Sequence, residues 1–206
     1  MPRAPFEVSS IVPSMKDFLQ AIATRRKRLA LVPRVVEGET KLELSRLSEL
    51  GVAAVACDAA GSTMRSFALG SLPILALDPV REDDDVLAAR AYGADAVVLF
   101  AYAPEVLGKK TRSTRMVPLV LAREVEEAKR ASDLGAKGVL IAGDSMEEIL
   151  AIVATLPPTT RVLAHLRDAD VPSIRALRGR VDAAVVERAL ALTSAFETLQ
   201  AEVDPA

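Results

Sequence analysis

The stretch ILALDPVREDDDVLAARAYGADAVVLFA, residues 74–101, decides the fold of this chain. It begins with a short apolar run, passes through an acidic turn into a helical pattern that stops at Gly93, and ends with a second apolar run. Acidic residues favour the first turn of a helix, and glycine favours its C-terminal cap. Short apolar runs flanked in this way are typical of strands buried on both faces. The stretch therefore predicts a strand, a helix and a second, parallel strand.

The same alternation continues along the chain and predicts the whole architecture. Helical patterns separate most of the apolar runs, which lie at residues 29–34, 51–58, 72–78, 94–101, 116–122, 136–143, 160–166 and 181–187. Eight strands alternating with helices predict a compact (β/α)₈ TIM barrel. An open doubly wound sheet is the alternative, but no glycine-rich phosphate turn follows the first run. We expect one domain over residues 1–206, with a short helix at about 14–27, N-capped by Ser14, before the first strand.

Composition limits the classes of partner and compartment that fit the chain. The 206 residues include 50% hydrophobic and 3% aromatic residues, carry a formal net charge of −2, and contain a single cysteine, Cys57. A near-neutral chain gives no reason to expect a nucleic-acid partner, and no apolar stretch is long enough for a membrane span. The acidic run REDDDV, residues 81–86, fits the start of a helix and lacks metal-ligand spacing. We therefore expect a cytoplasmic protein without a cofactor or metal.

Three segments carry a resemblance to a known enzyme family. AARAYGADAVVL (88–99), EVEEAKRASDLGAKGVLI (124–141) and VDAAVVERAL (181–190) resemble the text of indole-3-glycerol phosphate synthase. The resemblance extends over most of the chain from about residue 16. It implies a barrel of the ribulose-phosphate-binding type and a carbon–carbon lyase reaction, the ring-closing decarboxylation of tryptophan biosynthesis.

The chain departs from this family at the positions that the resemblance implies for catalysis. Pro33 and Leu77 stand where the family has the lysines of strands 1 and 3, and Glu187 stands where it has a phosphate-site glycine. Apolar side chains cannot transfer protons. The departures predict that the family activity is lost and that a binding or regulatory role remains. Two alternatives stay open, a rebuilt enzyme acting on another anionic small molecule and retained synthase activity.

Several charged residues fall at predicted strand ends, where barrel enzymes place their chemistry. The only histidine, His165, is a candidate acid or base or a rim residue bonded to a neighbour. Equal numbers of arginines and acids at this end also fit a network of salt bridges without catalysis. A small anionic ligand, a protein partner and a homo-oligomer are the partners left open. The rim candidates for catalysis are His165, Asp78 and Arg123, and the candidates for anion binding are Arg34, Arg167 and Arg188.

Overall fold

Eight parallel strands form a closed barrel in chain order. The structure, a computed structural model, describes residues 11–23, 29–35, 47, 49–58, 60–167, 169–187, 198–199 and 201. Each strand pairs with the next, and the last pairs with the first, which confirms the predicted (β/α)₈ barrel. The strands are β1 Ala30–Val35, β2 Val55–Cys57, β3 Ile74–Val80, β4 Ala96–Phe100, β5 Val117–Ala122, β6 Gly138–Ile141, β7 Arg161–Leu166 and β8 Ala183–Val186.

Within the described residues, one helix precedes the barrel and six follow its strands. Gly93 adopts a left-handed conformation with φ of 107° directly after the helix it was predicted to end. Ser145 directly precedes the helical pattern MEEILAIVATL, which predicts it as an N-cap, and it caps that helix, where Glu148 completes a capping box. The helices are α1 Phe18–Ala21, α2 Ser62–Ala68, α3 Asp83–Tyr92, α4 Glu105–Ser113, α5 Val125–Asp133, α6 Met146–Val153 and α7 Val171–Leu177.

The inside of the barrel is filled by small aliphatic side chains. Alternate strand residues face inward, and the intervening residues pack under the helices. Because alanine, valine and leucine dominate the inward positions, the strands close around a solid core. The inward residues are Ala30, Val32, Ala54, Ala56, Leu75, Ala96, Val98, Leu119, Leu121, Leu140, Leu163, Ala183 and Val185.

Helix α1 closes the end of the barrel at which the strands begin, called here the bottom face. Phe18 and Ile22 are both 0% exposed and belong to the same apolar cluster as the inward strand residues. At Gly138, the first residue of β6, an added Cβ would meet the side chains of Leu19 and Leu119. The glycine therefore leaves the space in which α1 lies.

The start of α1 differs from the prediction. Asp17 caps the helix by accepting a hydrogen bond from the Gln20 amide at 2.9 Å. Ser14, predicted as the cap, instead donates to the Asp95 carboxylate at 2.6 Å, and its own amide donates to the carbonyl of Thr114 at 3.0 Å. Distant partners on the barrel wall thus hold Ser14 outside the helix. Of the predicted range 14–27, residues 24–27 lie outside the described part.

Two buried carboxylates organise the bottom face. Asp95, 2% exposed, accepts from the Ile74 amide at 3.0 Å and pairs with Arg90 at 3.1 Å. Asp182, 0% exposed, accepts from the Val162 amide and from Arg161, both at 2.9 Å. Buried charges persist only when they are paired and hydrogen-bonded. The bottom face is therefore a fixed part of the fold.

We predict that Phe18→Ala destabilises the barrel by about 3–5 kcal/mol, because it leaves a cavity under the bottom face. Urea denaturation of the purified chain would measure the loss. Leu134→Ala is the matched control, since Leu134 is 63% exposed and its truncation should change the free energy of unfolding by less than about 0.5 kcal/mol. Equal stabilities of the two variants would contradict the role assigned to α1.

Candidate functional site

The carboxyl ends of all eight strands meet at one end of the barrel, called here the mouth. Inward residues at the ends of β7, β8, β1 and β2 are polar or charged, and those of β3 to β6 are apolar. The mouth is thus divided into an ionic half and an apolar half. Its inward residues are His165, Glu187, Arg34 and Asp58 in the ionic half, and Leu77, Phe100, Leu121 and Ala142 in the apolar half.

Arg34 is the centre of the ionic half. Its Nη1 donates to both carboxylate oxygens of Glu187, at 2.7 and 2.8 Å. Its Nε and Nη2 donate to the two oxygens of Asp58, the second at 2.8 Å. The hydrogen bonds to Asp58 raise the pKa of Arg34 most strongly, burial lowers it by less, and the hydrogen bonds to Glu187 raise it further, so the net shift is upward. Two carboxylates therefore hold the guanidinium from both sides.

Glu187 connects Arg34 to the only histidine of the chain. The Nε2 atom of His165 lies 3.3 Å from the Oε1 atom that Arg34 also contacts. The two side chains are half-buried, with 23% of His165 and 26% of Glu187 exposed. The structure thus brings His165 and Arg34, two of the candidates from sequence, into one cluster with Glu187.

Asp78 lies beside this cluster on an irregular part of β3. The register with β4 shifts between Ala76 and Val80, and the Asp78 amide donates to the carbonyl of Asp58 at 2.8 Å. Burial raises the pKa of the Asp78 carboxyl, and the nearby charge of Asp58 raises it further, while Arg34 and Arg81 lower it less. Asp78 therefore adds a third carboxylate to a region with one strongly held cation.

The remaining arginine candidates do not join the cluster. Arg123 is exposed, and its guanidinium lies 6.0 Å from the centre of the Phe100 ring in the apolar half. Arg167 is 81% exposed and reaches Asp144 only at 3.7 Å. Arg188 lies outside the described residues. The predicted set of anion-binding arginines is therefore not assembled in the part of the barrel that the structure describes.

The loops around the mouth satisfy their own amide groups. In each of α3, α5 and α6, an acid in the first turn accepts hydrogen bonds from amides of the preceding loop. In α7, the N-cap acid instead accepts a hydrogen bond from an amide in the first turn of its own helix. Barrels and other α/β folds commonly use such amides to bind phosphate. The bonds are Arg81 and Glu82 to Asp85 at 2.8 and 3.2 Å, Arg123 to Glu127 at 2.7 Å, Asp144 to Glu148 at 2.9 Å, and Ser173 to Asp170 at 2.8 Å.

The sequence placed Asp85 at the start of a helix, but the contacts of Asp85, Glu127 and Glu148 with loop amides were not predicted, and Asp58 was missed. A signal for the loop contacts was present, because an acid three residues after the cap is the capping-box pattern. Asp58 carried no such signal, since its partner Arg34 lies 24 residues away in the chain.

Carboxylates dominate the face around the mouth. Between the strand ends and the first helical turns, the described cations are Arg34, Arg81, Arg123 and Arg167. A face with this excess of negative charge repels anions and attracts cations. Its described carboxylates are Asp58, Asp78, Glu82, Asp83, Asp84, Asp85, Glu105, Glu124, Glu126, Glu127, Asp144, Glu147, Glu148, Asp170 and Glu187.

The bottom face has the opposite charge. Its exposed acids among the described residues are Asp17, Glu49 and Asp133. Among the described residues the two ends of the barrel therefore carry opposite charge, although the formal net charge of the chain is only −2. The described cations of the bottom face are Lys16, Arg65, Arg90, Arg112, Arg115, Lys137, Arg161, Arg178 and Arg180.

Comparison with known proteins identifies the fold. A chain of the tryptophan synthase α2β2 complex of the hyperthermophile Pyrococcus furiosus superposes with a TM-score of 0.60 and 15% sequence identity. The match covers 86% of the present chain and 97% of that chain. The two chains share a barrel fold. No family model matches the sequence, and neither does any curated protein.

The described part of the chain has neither a metal-binding cluster nor a membrane-spanning helix. No group of three or more histidine, cysteine, aspartate and glutamate side chains there is arranged to hold a metal ion. No helix among the same residues is long and apolar enough to cross a membrane. Cys57 is a buried thiol on β2.

We predict that Arg34→Met destabilises the barrel by about 1–3 kcal/mol at neutral pH, since it leaves Asp58 and Glu187 facing each other without a cation. Urea denaturation at neutral pH would measure this loss of stability. Arg167→Gln, which removes an exposed arginine, is the control and should be as stable as wild type. If Arg34→Met lowers the free energy of unfolding no more than Arg167→Gln does, the stabilising role of the cluster is contradicted.

We predict that Asp78→Asn raises stability at neutral pH. The folded state raises the pKa of Asp78, so the folded chain binds more protons than the unfolded chain just above pH 3.8. Stability from this group therefore falls as pH rises through that window. Thermal melts should show wild type and variant converging below pH 3.8 and the variant melting higher at neutral pH. A variant less stable at neutral pH would refute this sign.

Proposed function

We propose that this chain is a divergent barrel of the indole-3-glycerol phosphate synthase type that has lost the ring-closing activity and acts by binding or regulation. The observation that carries the proposal is the state of Arg34, which is held by Asp58 and Glu187 in the middle of the ionic half of the mouth. The chain's own carboxylates already bind the central cation of the mouth. That cation is therefore not free to bind an anionic substrate.

The positions that the resemblance assigns to the two catalytic lysines carry no proton donor. Leu77 stands where the resemblance places the strand 3 lysine, and it packs against the inward cluster. Pro33 lies at the outer-facing position of β1, so the inward residue at that strand end is Arg34. Arginine stays protonated at any physiological pH and cannot serve as a general acid. The nearby Lys109 pairs instead with Glu105 along the surface of α4, at 3.0 Å.

The negative charge of the family's substrate also disfavours its binding at this mouth. The reaction that the resemblance implies acts on a ribulose phosphate that also carries a carboxylate. The amides after β3, β5 and β6 are bonded by Asp85, Glu127 and Glu148. In the loop after β7, one of the two loops that hold phosphate in such barrels, Asp170 bonds the Ser173 amide. Glu187 adds a negative charge where the family has glycine, and the rim is acidic. These features oppose the binding of a polyanion.

A role exerted through a protein partner is compatible with the fold. The structure from Pyrococcus furiosus concerns the mutual activation of the tryptophan synthase α2β2 complex, so in that protein this fold belongs to an assembly. A barrel without its own turnover could still bind a partner.

The test is an assay of the purified chain with the carboxyphenylamino deoxyribulose phosphate that the synthase family uses. We expect no indole product above the buffer control and no saturable binding of inorganic phosphate. The variant Glu187→Gly, which removes the carboxylate and restores the family residue, should gain phosphate affinity, and Glu147→Gly on the same rim serves as its control. Turnover that follows the protein through purification and disappears in Arg34→Met would defeat the proposal.

A second candidate function rests on the contact between His165 and Glu187. A histidine paired with a carboxylate at a barrel mouth is an arrangement used for general base catalysis. On this reading the barrel is an enzyme with a rebuilt site for another small molecule. A thermal-shift screen of sugar phosphates and carboxylic acids distinguishes this enzyme from a barrel that acts only by binding or regulation. A compound that raises the melting temperature of wild type but not of His165→Ala supports the rebuilt site. A screen that finds no such compound counts against it.

A further inference from the structure

We propose that copies of this chain associate head to tail, with the bottom face of one copy on the mouth face of the next. The inference stands apart from the proposed function, because it concerns opposite ends of the barrel and its test measures association. It rests on two exposed apolar patches in the same sector of the barrel, with acids outnumbering cations near one patch and cations outnumbering acids near the other.

The patch on the bottom face consists of Val12, Met15 and Leu69, which are 65%, 83% and 79% exposed. The chain segment that carries the first two is held firmly. Arg90 donates to the carbonyl of Val12 at 2.8 Å, and Lys16 donates to the carbonyl of Leu72 at 3.0 Å. These side chains are therefore presented by a fixed backbone. The cations of the same sector are Lys16, Arg65, Arg112 and Arg115.

The patch on the mouth face consists of Tyr102 and Val106, which are 60% and 57% exposed. Arg130 donates to the carbonyl of Ala101 at 2.9 Å and lies 4.7 Å from the centre of the Tyr102 ring, so this loop is also fixed. The first turns of α3 and α4 bring acids to the side of the patch. The described cations near it are Arg81, Arg130 and Lys109, and Lys109 pairs with Glu105 at 3.0 Å. Those acids are Glu82, Asp83, Asp84 and Glu105.

The positions of the two patches select the mode of association. The bottom patch lies at the ends of α2, α3 and α4, and the mouth patch lies at the starts of α3 and α4. A second copy displaced along the barrel axis would therefore place apolar side chains on apolar side chains and cations on acids. Face-to-face pairing would instead oppose like charges, which is unfavourable. The contact uses two different surfaces and is heterologous, so it can propagate.

The test is sedimentation velocity of the full chain over a range of concentrations. We expect association at about 0.02 M salt and a dissociation constant raised about tenfold or more at 0.5 M salt, because exposed charges are then screened. A chain that stays monomeric at low salt up to the highest concentration that remains soluble would overturn the proposal.

Two variants test the head-to-tail geometry. Met15→Glu with Leu69→Glu disables the bottom patch, and Val106→Lys disables the mouth patch, so each variant alone should be monomeric. Their equimolar mixture should form a dimer and nothing larger, because one intact face remains on each. Leu134→Glu, a substitution at an exposed leucine outside both patches, should associate as wild type. Unchanged melting temperatures exclude misfolding, and a mixture that stays monomeric would overturn the geometry.

Discussion

The ion pairs of Arg34 govern what the mouth of this barrel can do. Arg34 ends β1, which pairs with β8 on one side and β2 on the other, and its partners Glu187 and Asp58 follow those two strands. The cluster thus spans the seam at which the first and last strands close the barrel. Bidentate pairs between arginine and carboxylate are directional as well as strong. The same bonds that fix the seam leave the guanidinium with little capacity for a ligand.

A second consequence of the parallel barrel is the separation of charge between its ends. The N-termini of α2 to α7 lie at the mouth, where acids are favourable, and their C-termini lie at the bottom, where cations are favourable. Capping therefore explains part of the separation, including Asp85 and Glu148, whose oxygens are bonded within their own loops. It does not explain Asp58 and Glu187, which directly follow β2 and β8, or Asp78, which lies near the end of β3. These three make the mouth itself acidic and give the two ends complementary fields.

Local patterns in the sequence predicted the elements well, since caps and strand alternation act over a few residues. Gly93 and Ser145 have the roles that the sequence indicates. The site was harder, because its contacts join residues far apart in the chain. Arg34 meets Glu187 across 153 positions, and Ser14 leaves the predicted cap for Asp95 across 81 positions. No periodicity encodes such contacts; they follow only when the barrel closes.

The distribution of buried charge explains how a barrel can keep its fold while its mouth changes. The bottom face holds Asp95 and Asp182, each almost fully buried and bonded to an arginine and a backbone amide, together with the apolar plug of α1. Losing one partner of such a pair costs several kcal/mol, so substitution there is restrained by stability. At the mouth, Arg34, Asp58 and Glu187 are each about one-quarter to one-third exposed, and water compensates for part of any change. Barrels in general keep stability at one end and chemistry at the other. In this chain the interior and the bottom face contain the apolar core and the most deeply buried charges, so substitutions at the mouth cost less stability than substitutions there. The mouth is therefore the part of this barrel that stability constrains least.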